Sequence, residues 1–257
     1  MSSLPSIEIQ SLHRSEGQAS IRIAVDGRHE GVRGRLRGPF CQLSRTLPSN
    51  HKIENGQAVI VDPCYWTPKL PFLYELRIDS EPHNFEIKWG LRWCITDRNG
   101  IRLNGKNHVV RAICPNNDFE ISEIRDQSAS LIVRKFSPTL CEAASEIGVM
   151  LLHLGSSSDE ERQQLQLCPA VHFLASEIPL AADVLAMTNR QDVPKSVCLT
   201  GEQELVGGTN YKEQTPRFIV RPSHSGDLAD LRRECDRLQR DVASFGQFAG
   251  YLVDSNA

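Results

Sequence analysis

From about residue 109 onward the chain alternates short apolar runs with helical segments, and this alternation restricts the fold more than any other feature. Residues 109–113 (VVRAI) read as a strand, 119–128 (FEISEIRDQS) as a polar helix and 131–134 (LIVR) as the next strand. Ser137 followed by Pro138 predicts an N-cap with proline at the first helical position, opening a helix to Ile147 that Gly148 stops. Residues 149–154 read as a buried strand, Ser158 as the cap of a helix over 159–167, and 171–175 as a fourth strand. Parallel strands need crossover connections, so repeated βα units imply a parallel sheet. Four short units in a row favour an α/β barrel over an open sheet. Further strands are expected at 195–199, 217–220 and 248–253. A helix over 227–245 carries a stripe at Leu228, Leu231, Cys235, Leu238, Val242 and Phe245, the spacing of a face packed on a sheet. An eight-stranded barrel takes roughly 250 residues. The segment 105–257 is much shorter, so a reduced (β/α) barrel of the TIM type is expected there.

Up to about residue 104 the rhythm is β only. Ile21, Ile23 and Val25 alternate with polar neighbours before an Asp26-Gly27 turn. Residues 59–61, 73–78 and 85–93 are further strands, and Asn99-Gly100 and Asn104-Gly105 are hairpin-type turns. Short strands with frequent turns make a β-sandwich the natural solution. The expected organisation is therefore a sandwich over 1–104 and a barrel over 105–257.

Composition excludes several classes of function. A net charge of −3 leaves no electrostatic footprint for nucleic acid. Aromatic residues make up only 6%, which argues against a stacking platform for bases or sugars. Arg33, Arg35 and Arg37 alternate with other residues, as on one solvated face of a strand. The start, MSSLPSIEIQSLHR, has no apolar core of a signal peptide, and nothing approaches the ~18 apolar residues of a membrane span. The eight cysteines are scattered and never form CxxC, which suits buried thiols of a reducing compartment. A cytoplasmic protein without a disulfide framework is expected. Ligand spacings such as CxxC or HxxxH are missing, so neither zinc nor another cofactor is expected.

The chemistry-bearing candidate is Glu177. It follows the apolar run VHFLAS at the end of the fourth strand, where α/β barrels carry their catalytic groups. A lone carboxylate can act as general acid or base. A retaining glycosidase needs two carboxyl groups ~5–5.5 Å apart.

Four segments resemble glycoside hydrolase family 2, the β-galactosidase, β-glucuronidase and β-mannosidase relatives. These are YWTPKLPFLYELRID (65–79), WGLRW (89–93), IRLNGKNHVVRAI (101–113) and LIVRKFSPTLCEAASEIGVMLLHL (131–154). The resemblance implies an immunoglobulin-like sandwich closed by Trp66, Pro68, Pro71, Leu73 and Tyr74, then a linker strand with Gly90 and Arg92. It makes Arg134 the arginine after strand two, beside the catalytic carboxylates, and Glu177 the general acid/base at the end of strand four. It leaves no room before the sandwich for the family's sugar-binding jelly-roll domain. Ser176 stands where the family has asparagine and Phe136 where it has histidine, and the segment CPNND after strand one keeps only Asp118 as a charged group. At the expected nucleophile position, RFIVRPSHSG (217–226) offers Arg221, Pro222, Ser223 and His224 but no carboxylate. Glu202 or Glu204, after the fifth strand, could supply the missing acid. Ser223-His224 lacks the orienting acid and oxyanion donors of an acyl-transfer site. GGTNY (207–211) has no phosphate-loop pattern, and Lys195 has no assigned role. Arg111, Ser176 and Asp118 are the candidate substrate contacts, and Arg134 or Arg111 could instead hold Glu177 as a structural ion pair.

Two functions follow as expectations. One is a catalytically weak or inactive relative serving as a carbohydrate-binding or protein-interaction module. The other is an active retaining β-glycosidase with Glu177 as acid/base and a second carboxylate elsewhere. A carbohydrate ligand is the partner implied in either case, without nucleic acid or membrane; the sequence leaves the oligomeric state open.

Overall fold

The computed structural model describes residues 6–80, 83–97, 100–155, 158–176, 195–201, 217–246 and 248–255. Contacts divide the chain into two units: Met1–Arg92 with Ser157–Pro169, and Trp93–Ser156 with Ala170–Ala257. Residues 93–104, which the sequence reading gives to the sandwich, fall in the second unit, and 157–169 fall in the first. Among the described residues the α-helices are α1 (Ile121–Asp126), α2 (Pro138–Ile147), α3 (Asp159–Leu167) and α4 (Leu228–Asp241).

Among the described residues the first unit holds seven strands: β1 (Ile7–Arg14), β2 (Gln18–Val25), β3 (Arg33–Phe40), β4 (Ser49–Ile53), β5 (Gln57–Val61), β6 (Leu73–Ser80) and β7 (His83–Trp89). They form two antiparallel sheets, β1-β2-β5 and β4-β3-β6-β7. Along β2 every second residue (Ala19, Ile21, Ile23, Val25) is buried, as a strand with one core face requires. Ile21, Ile23 and Ile60 from one sheet join Leu36, Ile53, Leu76 and Ile78 from the other in a single core, which makes the pair a sandwich. Asp26 and Gly27 both take left-handed conformations (φ 49° and 75°), the geometry that a tight hairpin turn demands.

The segment Trp66–Tyr74 closes this unit. Trp66 is 1% exposed and its N–H donates to Leu91 O at 2.7 Å. The Tyr74 hydroxyl accepts from the Cys64 N–H at 2.9 Å, and burial pushes its phenol far above the usual range. Arg92 is buried too, and its guanidinium takes the end of α3. It donates to Gln166 O (2.5 Å), Cys168 O (2.6 Å) and Pro169 O (3.3 Å), carbonyls at and just beyond the C-terminus of the helix. Gly90 is required alongside, because a Cβ there would stand 2.7 Å from Pro169 Cβ.

In the second unit a small antiparallel sheet comes first, from β8 (Cys94–Asp97), β9 (Gly100–Leu103) and β10 (Lys106–His108). Asn104 and Gly105, at φ 49° and 79°, make the β9–β10 turn. The seven remaining strands are β11 (Val110–Cys114), β12 (Ser130–Val133), β13 (Leu151–Leu154), β14 (Val171–Ser176), β15 (Lys195–Gly201), β16 (Arg217–Pro222) and β17 (Gly250–Asp254). All pair in parallel in chain order, and β17 pairs with both β16 and β11, so the sheet curls round to close. It is a reduced ring, one strand short of an eight-stranded barrel.

Inside the ring Val110, Ala112, Ile132, Leu152, Phe173, Phe218 and Leu252 form one cluster, with Phe173 and Phe218 edge to face at 5.3 Å. Cys94, Ile101 and Leu103 of the small sheet join it through residues at the strand starts, so that end is stopped by apolar side chains. On the outside, Ile219 and Tyr251 pack against Leu238 and Val242 of α4. The helix ends carry the local chemistry expected of them. Ser137 caps α2 with Pro138 at its first position, Gly148 ends it in the left-handed conformation, and Ser158 with Glu161 forms a capping box on α3. The apolar stripe read as one helix to 245 instead breaks after Asp241 into a short 3-10 turn over Ala243–Phe245, and Phe245 is 52% exposed.

Arg92→Met removes the guanidinium that donates to the carbonyls of Gln166, Cys168 and Pro169, and urea unfolding should show a loss of about 3 kcal/mol. Arg92→Lys should recover only part of it, since a point charge cannot reach all three acceptors.

Candidate active site at the strand ends

Parallel rings carry chemistry where their strands end at the carboxyl side. Side chains along a strand alternate between its faces, so Val110, Ala112 and Cys114 of β11 share the inner face. The same rule on β17 makes Asp254 the inward residue after Leu252. Asp254 pairs in register with Cys114 on one side and Pro222 on the other, and is only 3% exposed. Arg134, the residue after β12, meets it with both guanidinium ends. Nη1 donates to Oδ1 at 3.2 Å and to Cys114 Sγ at 3.1 Å, while Nη2 donates to Oδ2 at closer range. The hydrogen bond to Asp254 outweighs burial and raises the Arg134 pKa, so its charge is permanent.

The neighbouring loops are stitched to the same point. Ser223 N–H donates to Asp254 O at 2.8 Å, and Ser255 donates to Cys114 O through both N–H (3.1 Å) and Oγ (2.5 Å). Ser223 Oγ accepts from Ser225 N–H, and Ser225 Oγ from Asp227 N–H, the cap of α4. Ser223 is buried and His224 exposed, and among the described residues no hydrogen bond joins them as nucleophile and base.

The sequence-derived candidates are distributed as follows. Arg134 lies at the mouth. Arg111, expected to contact substrate, points to the outside of the ring, since it lies between the inward Val110 and Ala112. It donates to Asp236 Oδ1 (2.8 Å) and Gln239 Oε1 (2.7 Å) on α4. Arg221 likewise pairs outward with Asp241 at 2.7 Å. Asp118 is exposed in the loop after β11. Ser176 ends β14 opposite Cys198 of β15. Glu177, Glu202, Glu204 and the GGTNY segment lie outside the described residues. Asp254 was missed because the last strand was read as ending at 253. Its signal is the acid that terminates the apolar run GYLVD. Among the described residues no group of three His, Cys, Asp or Glu could hold a metal, and no helix is long and apolar enough to cross a membrane. Cys41, Cys64, Cys94, Cys114, Cys141, Cys168 and Cys235 form no disulfide.

Solved structures share this architecture over nearly the whole chain. The β-D-glucuronidase of Dictyoglomus thermophilum superposes with a TM-score of 0.59 at 12% identity, covering 96% of this chain and 53% of its own. The β-glucuronidase of Bifidobacterium dentium, complexed with coumarin-3-O-glucuronide, gives 0.61 at 12% identity, with 97% and 52% covered. A β-glucuronidase from glycoside hydrolase family 2 gives 0.60 at 10% identity, with 97% and 37% covered. The chain has the fold of these β-glucuronidases. It spans about half the length of the first two, and at such identity the likeness establishes the fold alone. No protein-family model matches the chain, and no curated protein matches it in sequence. The structural likeness agrees with the family 2 resemblance of the WTPKLPFLY, WGLRW and LNGK segments.

Arg134→Met strands a buried carboxylate and should cost about 3 kcal/mol in denaturant unfolding. Arg134→Met combined with Asp254→Leu should regain most of that, the signature of a coupled pair. A second expectation concerns Asp236. Burial pushes its carboxyl up, but Arg232 and then Arg111 outweigh this and leave it below its usual pKa. A depressed carboxyl contributes stability that is present above its unfolded value near 4 and is lost as pH falls through the folded one. Between about pH 5 and 3, Asp236→Asn should therefore lose less stability than the parent protein, as read by urea midpoints at each pH.

Proposed function

We propose that this chain is a glycosidase-like module that binds carbohydrate, or a partner presenting it, without carrying out the two-step displacement of a retaining glycosidase. One observation supports the reading above the rest. The carboxylate that terminates β17, Asp254, has both oxygens on Arg134 and is 3% exposed. A nucleophile must reach the anomeric carbon with a free lone pair. An acid held in a guanidinium fork beneath the surface serves to order the strand ends. The end of β16 adds a buried, turn-forming serine and an exposed histidine; His224 can hydrogen-bond to sugar hydroxyls and cannot replace a carboxylate. Because one fold hosts many activities, the fold likeness supports a saccharide ligand by analogy only.

Asp254 also favours a second reading, in which the chain is an active retaining β-glycosidase. Asp254 stands at the strand ends with Arg134 across both of its oxygens, and Glu177 would then act as the acid/base partner. One set of assays separates the two. Purified protein is offered a panel of aryl β-glycosides, the β-glucuronide included, while binding of the parent saccharides is followed by titration calorimetry. Binding without turnover above the buffer rate is expected. Turnover that falls by about 10³-fold or more in both Glu177→Gln and Asp254→Asn, with each variant folded by circular dichroism, would install the second reading instead.

A further inference from the structure

On the outer face of sheet β4-β3-β6-β7 lies a charge arrangement that the sandwich does not need. Leu36 takes an inward position of β3, so Arg33, Arg35 and Arg37 project outward and are exposed. Register then places Arg35 directly between Lys52 of β4 and Arg77 of β6. Three cations thus stand in one row across three strands, with neighbouring Cβ atoms about 5 Å apart, where like charges destabilise a sheet. The outer two are relieved: Lys52 pairs with Glu54, and Arg77 Nε bonds Glu86 at 2.8 Å. Arg35 makes no ion pair among the described residues, and neither does Arg33, although Asp79 stands across from it.

The surface is hollow beside this row. A cleft of about 780 Å³ is lined by Arg33, Arg35, Lys52, His51, Asp79 and Glu54, the last of these paired with Lys52. Three cationic donors, the guanidinium forks of Arg33 and Arg35 and the ammonium of Lys52, stand in it beside two carboxylates, Asp79 and Glu54. No Trp, Tyr or Phe lines it, so it offers no stacking surface for a base or a sugar ring. A guanidinium fork matches two oxygens of one tetrahedral anion, and two forks two positions apart can share it.

We propose that this cleft binds a doubly charged oxyanion, a sulfate or phosphate group either free or carried on a saccharide, with Arg35 as the central donor and Arg33 and Lys52 beside it. The site lies on the sandwich and is independent of the reading of the strand-end mouth. Bound anion supplies the counter-charge that the row lacks, which accounts for a like-charge opposition that a purely structural sheet would discard.

The test compares the parent protein with Arg35→Gln, and with Arg45→Gln as an exposed arginine outside the cleft. Melting is followed in sodium sulfate against sodium chloride at matched ionic strength. A heparin-derived sulfated tetrasaccharide is titrated by calorimetry, beside a neutral tetrasaccharide. Sulfate should raise the Tm beyond chloride in the parent and in Arg45→Gln, but not in Arg35→Gln. Affinity for whichever anion binds should fall roughly ten- to a hundredfold in Arg35→Gln. Without anion, Arg35→Gln should melt at or above the parent temperature, because the row is relieved. Protection by sulfate alone assigns a free oxyanion, and tighter binding of the sulfated tetrasaccharide assigns a sugar-borne one. An equal response of the parent and Arg35→Gln, or equal protection by chloride, overturns the proposal.

Discussion

A parallel sheet loses its edges only if its last strand returns to its first, and here the closure rests on β17. Gly250–Asp254 is in register with Val110–Cys114 on one side and Phe218–Pro222 on the other. The fit is close: a Cβ on Gly250 would stand 3.0 Å from the Phe218 ring, which itself meets Phe173 in the middle of the core. The strand therefore begins with a residue that makes room and ends with one that carries charge. Its five positions are all buried, so the chain must supply partners for every polar group it brings in.

The way charge is sorted around the ring follows from that closure. Strands in such a ring are covered on both faces, and alternate residues go to opposite sides. Arg111 and Arg221 go outward, where Asp236 and Asp241 of α4 receive them and tie the helix to the strands it covers. Asp254 goes inward, where Arg134 receives it. The outer pairs are partly solvated and contribute modestly. The inner pair holds a nearly sealed carboxylate, and breaking it leaves a charge without a solvent shell.

Local chemistry explains which parts of this were legible in the sequence. Ser137-Pro138 and Gly148 announce α2, and Asn104-Gly105 announces its turn, because each needs only its neighbouring backbone. The strands β11 to β14 and the three helices between them were legible for the same reason: helices and strands differ in period over a few residues. The stretch 85–93 was not, since a continuous apolar–polar alternation (FEIKWGLRW) cannot reveal that β7 stops at Trp89 and a new sheet begins at Cys94. Nor could the direction of Arg111 be read. In a strand buried on both sides, period two tells which residues share a face but not which face is inside. Asp254 needed the ring itself, because its partner lies 120 residues away in sequence.

The number of strands also bears on what the mouth can do. β12 and β17 flank β11, so Arg134 and Asp254 are two strand spacings apart, roughly 10 Å between backbones. A long guanidinium arm and a short carboxylate can bridge that span only by leaning over the strand between them, which ends in the small Cys114 side chain. Barrel diameter grows with strand number, so a seven-membered ring brings such groups closer to the axis than an eight-membered one. The acid and the base then neutralise each other, and the exposed Asn116, Asn117 and His224 remain as hydrogen-bonding groups toward solvent. Arg35 on the sandwich is the converse case, an arginine whose two cross-strand partners are cations and which forms no ion pair among the described residues. The same side chain becomes a structural clasp where the fold supplies a carboxylate, and a recognition group where the carboxylate has to come from outside.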